Sequence, residues 1–208
     1  MKSLFQVSML LMFASTTAQD SYNEGMQKAF ALWGEGNTIE AANMFERIST
    51  VEKDNWLPLY YVAQINTISA FGETDKEKLT QKLEKAQETI DIALAIAPDE
   101  AEILVQQAMI YTAWVAFDGA TYGMTHSGKV AALYQKALTL APDNPRVVYS
   151  KASWDIGSAQ YFRQDTAPFC KELERALQLF ANFKPERPFH PNWGKERAED
   201  ALQNCGNR

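Results

Sequence analysis

Two short stretches decide the fold that is predicted for this chain: Ala-Leu-Ala-Ile-Ala-Pro-Asp at Ala93–Asp99 and Ala-Leu-Thr-Leu-Ala-Pro-Asp at Ala137–Asp143. The second stretch begins 44 positions after the first. Alanine and leucine favour a helix, whereas proline cannot continue one. Each stretch therefore predicts the end of a helix, and their near identity indicates an internal repeat.

The repeat extends upstream of both stretches as the spacing A-x3-(aromatic or aliphatic)-x2-A-x4-P. Its matches are Ala86, Ile90, Ala93 and Pro98, then Val130, Tyr134, Ala137 and Pro142, with weaker ones at Ala41, Phe45 and Ile48 and at Leu173, Ala176 and Ala181. Each match is preceded by a segment whose small residue allows close helix packing: Ala29, Ala63, Ala108 and Ala152. The pattern predicts four helix pairs.

These positions resemble the tetratricopeptide repeat (TPR) family, whose unit is a helix-turn-helix with small residues at the helix contacts and an exit proline. The resemblance covers about Tyr22 to Ala181 and implies an all-α, right-handed α-solenoid of about four TPR-like helix pairs. The ending Pro188–Lys195, with a terminal cysteine, is also similar to uncharacterised exported TPR proteins of Bacteroidota-type bacteria.

Two inserts of roughly ten residues separate this chain from the compact TPR unit. The first, Phe71 to Gln81, is polar and is predicted to lengthen the following helix. The second, Phe117 to Gly128, contains three glycines and is predicted to be flexible rather than helical. Because they occupy equivalent places in stacked units, we expect the two inserts to be neighbours and to build a site together.

The two ends of the chain predict segments outside the repeats. Residues 1–18 combine Lys2, an apolar run and small residues before Gln19, which is typical of a secretory signal. We expect a periplasmic or secreted protein without membrane insertion, with a repeat domain over 19–181. Residues 182–208 predict an extended proline-rich strap, with Pro185, Pro188 and Pro191, and a C-terminal capping helix.

The cysteine count and the charge limit the possible chemistry. Cys170 and Cys205 are the two cysteines, and in an exported chain they are expected to form a disulfide bond rather than a metal or redox site. The chain carries 26 acidic against 20 basic residues and has no basic run, which argues against a nucleic-acid partner.

Motifs for catalysis, metals or cofactors are weak. Residues 123–130 follow the phosphate-loop spacing, but Val130 replaces the Ser or Thr that magnesium needs, so chance explains the match better. His126 and His190 are far apart in the sequence, and Asp118 with His126 could at most form a small metal or acid-base site in one insert. We expect no enzyme, no cofactor and no metal.

The concave face of the solenoid is the candidate binding site, because the resembling family binds its ligands along the first helix of each pair. The residues expected there are Met26, Phe30, Trp33, Tyr60, Gln64, Met109, Arg146 and Tyr149. An aromatic and methionine-lined groove suits a peptide. The alternative is that several of them are core. Recognition of a terminal carboxylate is not expected, since Arg146 is the one matching cation.

Three functions remain open from the sequence. The first is a protein-interaction or scaffolding module that binds a peptide or protein partner in the groove. The second is small-molecule or glycan binding on aromatic faces, for which the candidates are Trp33, Trp56, Tyr60, Tyr61, Trp114 and Trp154. The third is a hydrolase-like site built by the inserts from Asp118, His126, Glu73 or Asp75.

Overall fold

The computed structural model describes residues 19–205, and the predicted signal segment lies outside them. The described chain is a consecutive array of helices without a strand. The helices are α1 over residues 19–34, α2 Thr38–Val51, α3 Trp56–Ala70, α4 Lys76–Ile96, α5 Ala101–Phe117, α6 Gly119–Leu140, α7 Pro145–Tyr161, α8 Ala167–Asn182 and α9 Lys195–Gln203. This architecture confirms the predicted all-α, solenoid-like class.

Local sequence sets most of the helix starts. The side chains of Asn55, Asp75 and Asn144 accept hydrogen bonds from first-turn amides of α3, α4 and α7, which satisfies donors that have no partner within the helix. Pro145 follows Asn144 at the first helical position, where its missing N–H costs nothing. The two repeated stretches end α4 at Ile96 and α6 at Leu140, as predicted.

The helices form two layers. Helices α3, α5 and α7 lie side by side, and α4, α6 and α8 each pack against the helix that precedes them. The small residues Ala63, Ala108 and Ala152 are buried at these contacts, as the repeat pattern predicted. Helices α3 and α5 are buried on nearly every face, so they carry apolar residues all around rather than on a single stripe.

The second insert is a helix, and the prediction of a flexible loop there was wrong. Residues 119–128 form the first turns of α6, which begins where the Asp118 carboxylate accepts a hydrogen bond from the Thr121 amide. The Tyr122 ring packs on Trp114 of α5, with 4.8 Å between ring centroids. Packing against α5 therefore offsets the low helix propensity of the glycines. The first insert lengthens α4, as predicted.

The C-terminal segment folds back over the array. Residues 183–194, which we call the strap, run from α8 to α9 without helix. The prolines predicted a uniformly extended strap, and this prediction was wrong in part. The His190 amide donates to the Arg187 carbonyl in a turn, and Phe189 has a φ of 62°. The predicted Cys170–Cys205 disulfide is present and joins α8 to the end of α9.

Candidate functional site

Four of the predicted groove residues lie in the protein interior. Met26, Tyr60 and Arg146 are completely buried, and Gln64 is 2% exposed. Phe30 and Trp33 are half-buried and pack around Tyr61, which is itself in the core. Most of the eight predicted groove residues therefore lie in the core, which was the alternative given above, and not in an open groove.

The strap covers the face on which α1 and α3 present these residues. The Tyr61 hydroxyl donates to the Phe189 carbonyl oxygen over 2.7 Å, and the Trp193 Nε1–H donates to the Tyr60 hydroxyl over 2.8 Å. The Phe189 ring stacks on Phe30, with centroids 5.9 Å apart. The chain's own C-terminal segment therefore occupies the space in which the sequence placed a peptide.

Arg146 is bound to a carboxylate of the protein itself. Its guanidinium donates to both oxygens of Glu102 at 2.6 to 2.9 Å, and both side chains are completely buried. Its other face lies over the Phe183 ring at 4.2 Å. This geometry makes Arg146 part of the folded core, where Glu102 takes the place that a ligand carboxylate would need.

A large open cavity lies elsewhere, between the ends of α5, α6 and α7, and we call it the α6–α7 cavity. Its volume is about 820 Å³, within the range of pockets that bind small organic molecules. Two of the predicted ligand-binding residues, Met109 and Tyr149, line it. Trp193 of the strap and Arg197 of α9 close one side.

Small residues of two helices line this cavity. The lining residues of α6 and α7 include Gly119, Ala120, Gly123 and Ser127 on one helix and Ser150, Ser153, Gly157 and Ser158 on the other. A Cβ atom added at Gly119, Gly123 or Gly157 would meet no atom within 4 Å. Both helices therefore leave free space at these positions, and we call this space the slot.

Aromatic and sulfur-containing side chains surround the slot. They are Phe71, Met109, Met124, Tyr134, Tyr149, Trp154, Tyr161, Phe162 and Trp193. Met124 is 96% exposed, and Tyr161 and Phe162 are also open to solvent, at 72% and 68%. Large apolar side chains at the mouth of an apolar cavity are a common property of ligand-binding sites.

Charged groups in the α6–α7 cavity are few. Arg197 is the one charged residue of its lining. The Oγ atom of Ser150 is buried and has no hydrogen-bond partner among the described residues. Burial raises the pKa of Tyr149, whose phenol is a neutral hydroxyl group at physiological pH in any case. The site can thus offer hydroxyl groups and one guanidinium to a mainly apolar ligand.

The two inserts meet at this cavity, which confirms that they are neighbours. Phe71 comes from the first insert, and Gly119, Gly123 and Met124 come from the second. The sequence signal that could have revealed the α6 wall is the spacing of small residues at 119, 123 and 127, one helical turn apart. Because residues 117–128 were predicted to be a flexible loop, this helical spacing was not considered.

The carboxylates of the inserts serve structural contacts. Glu73 pairs with Lys82 at 2.9 Å, and hydrogen bonds from Lys82 and from backbone amides lower its pKa to about 2. Asp75 and Asp118 cap helices α4 and α6, and hydrogen bonds from the Thr121 hydroxyl and then from its amide lower the pKa of Asp118. A hydrolase-like site would need an acid with a raised pKa, and the pKa values of Glu73 and Asp118 are shifted the opposite way.

Histidines and possible metal ligands are dispersed in the described part of the chain. Between residues 19 and 205, no group of three or more His, Cys, Asp or Glu side chains could hold a metal ion. His126 packs against the rings of Tyr111 and Tyr122, and burial lowers its pKa. Residues 123–130 lie inside α6 rather than in a loop after a strand, so the phosphate-loop spacing is a coincidence.

Comparison with solved structures shows a likeness in fold. No protein-family model and no curated protein sequence matches this chain. Its structure is similar to that of the HusA haemophore from Porphyromonas gingivalis, with a TM-score of 0.78 and 23% sequence identity, over 89% of this chain and 93% of that chain. At this identity the likeness shows a shared fold, and the TPR relationship itself stays a prediction. No helix of the described residues is long and apolar enough to cross a bilayer.

Proposed function

We propose that this protein is an exported binding protein that holds a planar, mainly apolar ligand of the porphyrin class in the α6–α7 cavity, with haem as the first candidate. The observation that carries the proposal is the slot between α6 and α7, which combines free space along two small-residue walls with an aromatic surround. A flat ring system buries both faces in such a slot and gains apolar contact on each side.

The polar groups of the cavity agree with this ligand class. A porphyrin of the haem type carries carboxylates at one edge, and the Arg197 guanidinium at the cavity wall can bind one of them. The sulfur of Met124 and the phenol of Tyr161 stand at the exposed mouth and belong to the side-chain types that can contact haem iron. In this proposal haem is the cargo of the protein and not a cofactor that its fold requires.

The comparison supports the same ligand class. HusA, whose fold this chain shares, is described as a haemophore, a protein that carries haem. Residues 1–18 predict export, which a carrier of an extracellular nutrient would require. The small-molecule alternative raised from the sequence therefore has more support than a peptide in the α1–α3 groove, because the strap lies over that groove.

Titration of the mature chain, residues 19–208, with haem tests the proposal. Haem absorbance should change in a saturable way with one ligand per chain, and metal-free protoporphyrin should compete, since most of the contact area is apolar wall. If haem bound saturably and the metal-free ring did not compete, the protein would recognise the haem iron and not the flat ring system in the slot. No saturable binding of either ring would contradict the proposed function.

A further inference from the structure

A second cavity, which we call the strap cavity, lies under the strap against α1 and α3. Its volume is about 520 Å³, and Trp193 and Arg197 separate it from the α6–α7 cavity. Its walls carry the rings of Phe30, Trp33 and Phe189. Phe30 is nearly parallel to both Trp33 and Phe189, with interplanar angles of 22° and 12°, so stacked aromatic rings line this cavity.

Two buried polar side chains line the strap cavity without a protein partner. Gln64 is 2% exposed, and its Oε1 forms no hydrogen bond with a described residue. His190 is 7% exposed, and its Nδ1 is likewise unpartnered among the described residues. Buried polar atoms are nearly always hydrogen-bonded in folded proteins, so these two indicate a position at which a ligand can bind.

Positive charge also converges on this cavity. Arg187 and Arg197 both line it, where their guanidinium groups lie over the rings of Trp56 and Trp193, and Glu196 supplies the one carboxylate of the lining. Helix α9 begins beside them at Gly194, which has a φ of 109° and provides no side-chain cap. The first-turn amides of α9 therefore add partial positive charge at the same place.

We propose that the strap cavity is a second ligand site, for a small aromatic carboxylate that also carries a hydroxyl group. Its ring packs against the aromatic side chains that line the cavity, as aromatic pairs prefer. Its carboxylate binds Arg187 and the start of α9, and its hydroxyl donates to Gln64 Oε1. This site is separate from the proposed haem site, and each can fail without the other.

The probe for this site is 4-hydroxyphenylacetate, with the uncharged 4-hydroxyphenylacetamide as its control. Titration of the mature chain, followed by amide NMR, should shift the Gln64 side-chain signal and the backbone signals of residues 194–197 in a saturable way. The uncharged probe should bind about tenfold more weakly, because it lacks the charge-assisted hydrogen bond.

Matched variants assign the contacts. Arg187→Gln and Gln64→Leu should each weaken binding of the probe by about tenfold, whereas Arg47→Gln on α2, an exposed arginine remote from the lining, should leave it unchanged. Arg187 is exposed, so its variant keeps the test valid even when Gln64→Leu fails to fold. Equal weakening by Arg47→Gln would overturn the assignment.

A competition experiment tells whether the carboxylate in the strap cavity belongs to a separate small ligand or to the porphyrin bound in the α6–α7 cavity. The proposal expects the probe to bind with unchanged affinity when haem or protoporphyrin is already bound. If the porphyrin displaced the probe, the strap cavity would hold the carboxylate edge of the porphyrin bound in the α6–α7 cavity. That result would overturn the proposal of a separate site. Absence of any saturable shift at Gln64 and residues 194–197 would overturn it as well.

Discussion

Trp193 of the strap donates a hydrogen bond from its indole nitrogen to the hydroxyl of Tyr60 in α3 over 2.8 Å, across 133 positions of sequence. Tyr60 is completely buried, so this bond fixes the strap to the interior of the array. Trp193 in turn lines both cavities. The shape of the proposed haem site consequently depends on a segment at the far end of the chain.

Tyr60→Phe tests this link. The variant keeps the ring but removes the acceptor, which leaves the Trp193 N–H without its partner. We expect the free energy of unfolding to fall by about 1 kcal/mol and haem binding to weaken, because the part-buried Trp193 donor loses its hydrogen bond. Urea unfolding and haem titration measure the two effects. Unchanged values for both would show that the hydrogen bond does not hold the strap.

The disulfide should contribute to the same anchoring. Cys170 and Cys205 close a loop of 35 residues, for which the chain-entropy model gives a stabilisation of about 3 to 4 kcal/mol. A Cys170→Ser, Cys205→Ser variant should lose a free energy of unfolding of this order in urea, and reductant should have no further effect on it. A parent chain that is equally stable with and without reductant would contradict this expectation.

The buried ion pair of Glu102 and Arg146 gives a prediction about the core. Glu102→Gln leaves a buried guanidinium without its counter-charge and should lower the free energy of unfolding by about 3 to 5 kcal/mol. The double variant Glu102→Leu, Arg146→Met should lose much less, because an apolar pair removes both charges.

An exposed ion pair of the same array provides the control for this experiment. Lys136 and Asp99 pair at 3.2 Å, with their side chains 50% and 74% exposed. Asp99→Asn should therefore change the free energy of unfolding by less than about 1 kcal/mol. A loss from Glu102→Gln no larger than that from Asp99→Asn would contradict the importance of the buried pair.

The stability of the protein should fall in mild acid because of His190. Burial lowers the pKa of this imidazole below the value of about 6.5 that it has in an unfolded chain. Below that pH the unfolded state binds more protons than the folded state does, so the free energy of unfolding decreases as the pH falls. The pH dependence should be weaker in His190→Gln than in the parent, as measured by urea unfolding from about pH 7.5 to 5.5. Identical slopes would contradict this assignment.

Much of the helical array could be predicted from the sequence because its signals are local. The repeated ends Ala93–Asp99 and Ala137–Asp143 stop helices through proline and small residues, and Asn144 with Pro145 starts the next one. Such signals act within one turn of chain and need no knowledge of tertiary contacts. The disulfide could be predicted for a similar reason, since two cysteines in an exported chain leave one pairing.

The candidate site was harder to predict because it depends on distant contacts. Tyr60 and Arg146 have the positions expected of groove residues, but in the structure Tyr60 is hydrogen-bonded to Trp193 of the strap and Arg146 is paired with Glu102. Gly119 and Gly123 read locally as loop residues, whereas packing of Tyr122 on Trp114 makes their segment helical. Periodicity predicts which side of a helix is apolar, but it does not tell what covers that side.

Two glycine variants allow the sharpest comparison for the central claim, that the slot between α6 and α7 holds the ligand. Gly157 lies in the wall of the slot, and Gly128 lies on α6 outside it, and at both positions an added Cβ would meet no atom within 4 Å. Leucine favours the helix equally at both, so stability should rise or stay unchanged in each variant.

Haem titration of Gly157→Leu beside Gly128→Leu is the most direct measurement. The account predicts that Gly157→Leu weakens haem binding by about tenfold or more, since the added side chain fills the slot and must be displaced, while Gly128→Leu binds like the parent. Equal affinity of the parent and both variants would contradict the claim that the ligand lies between α6 and α7.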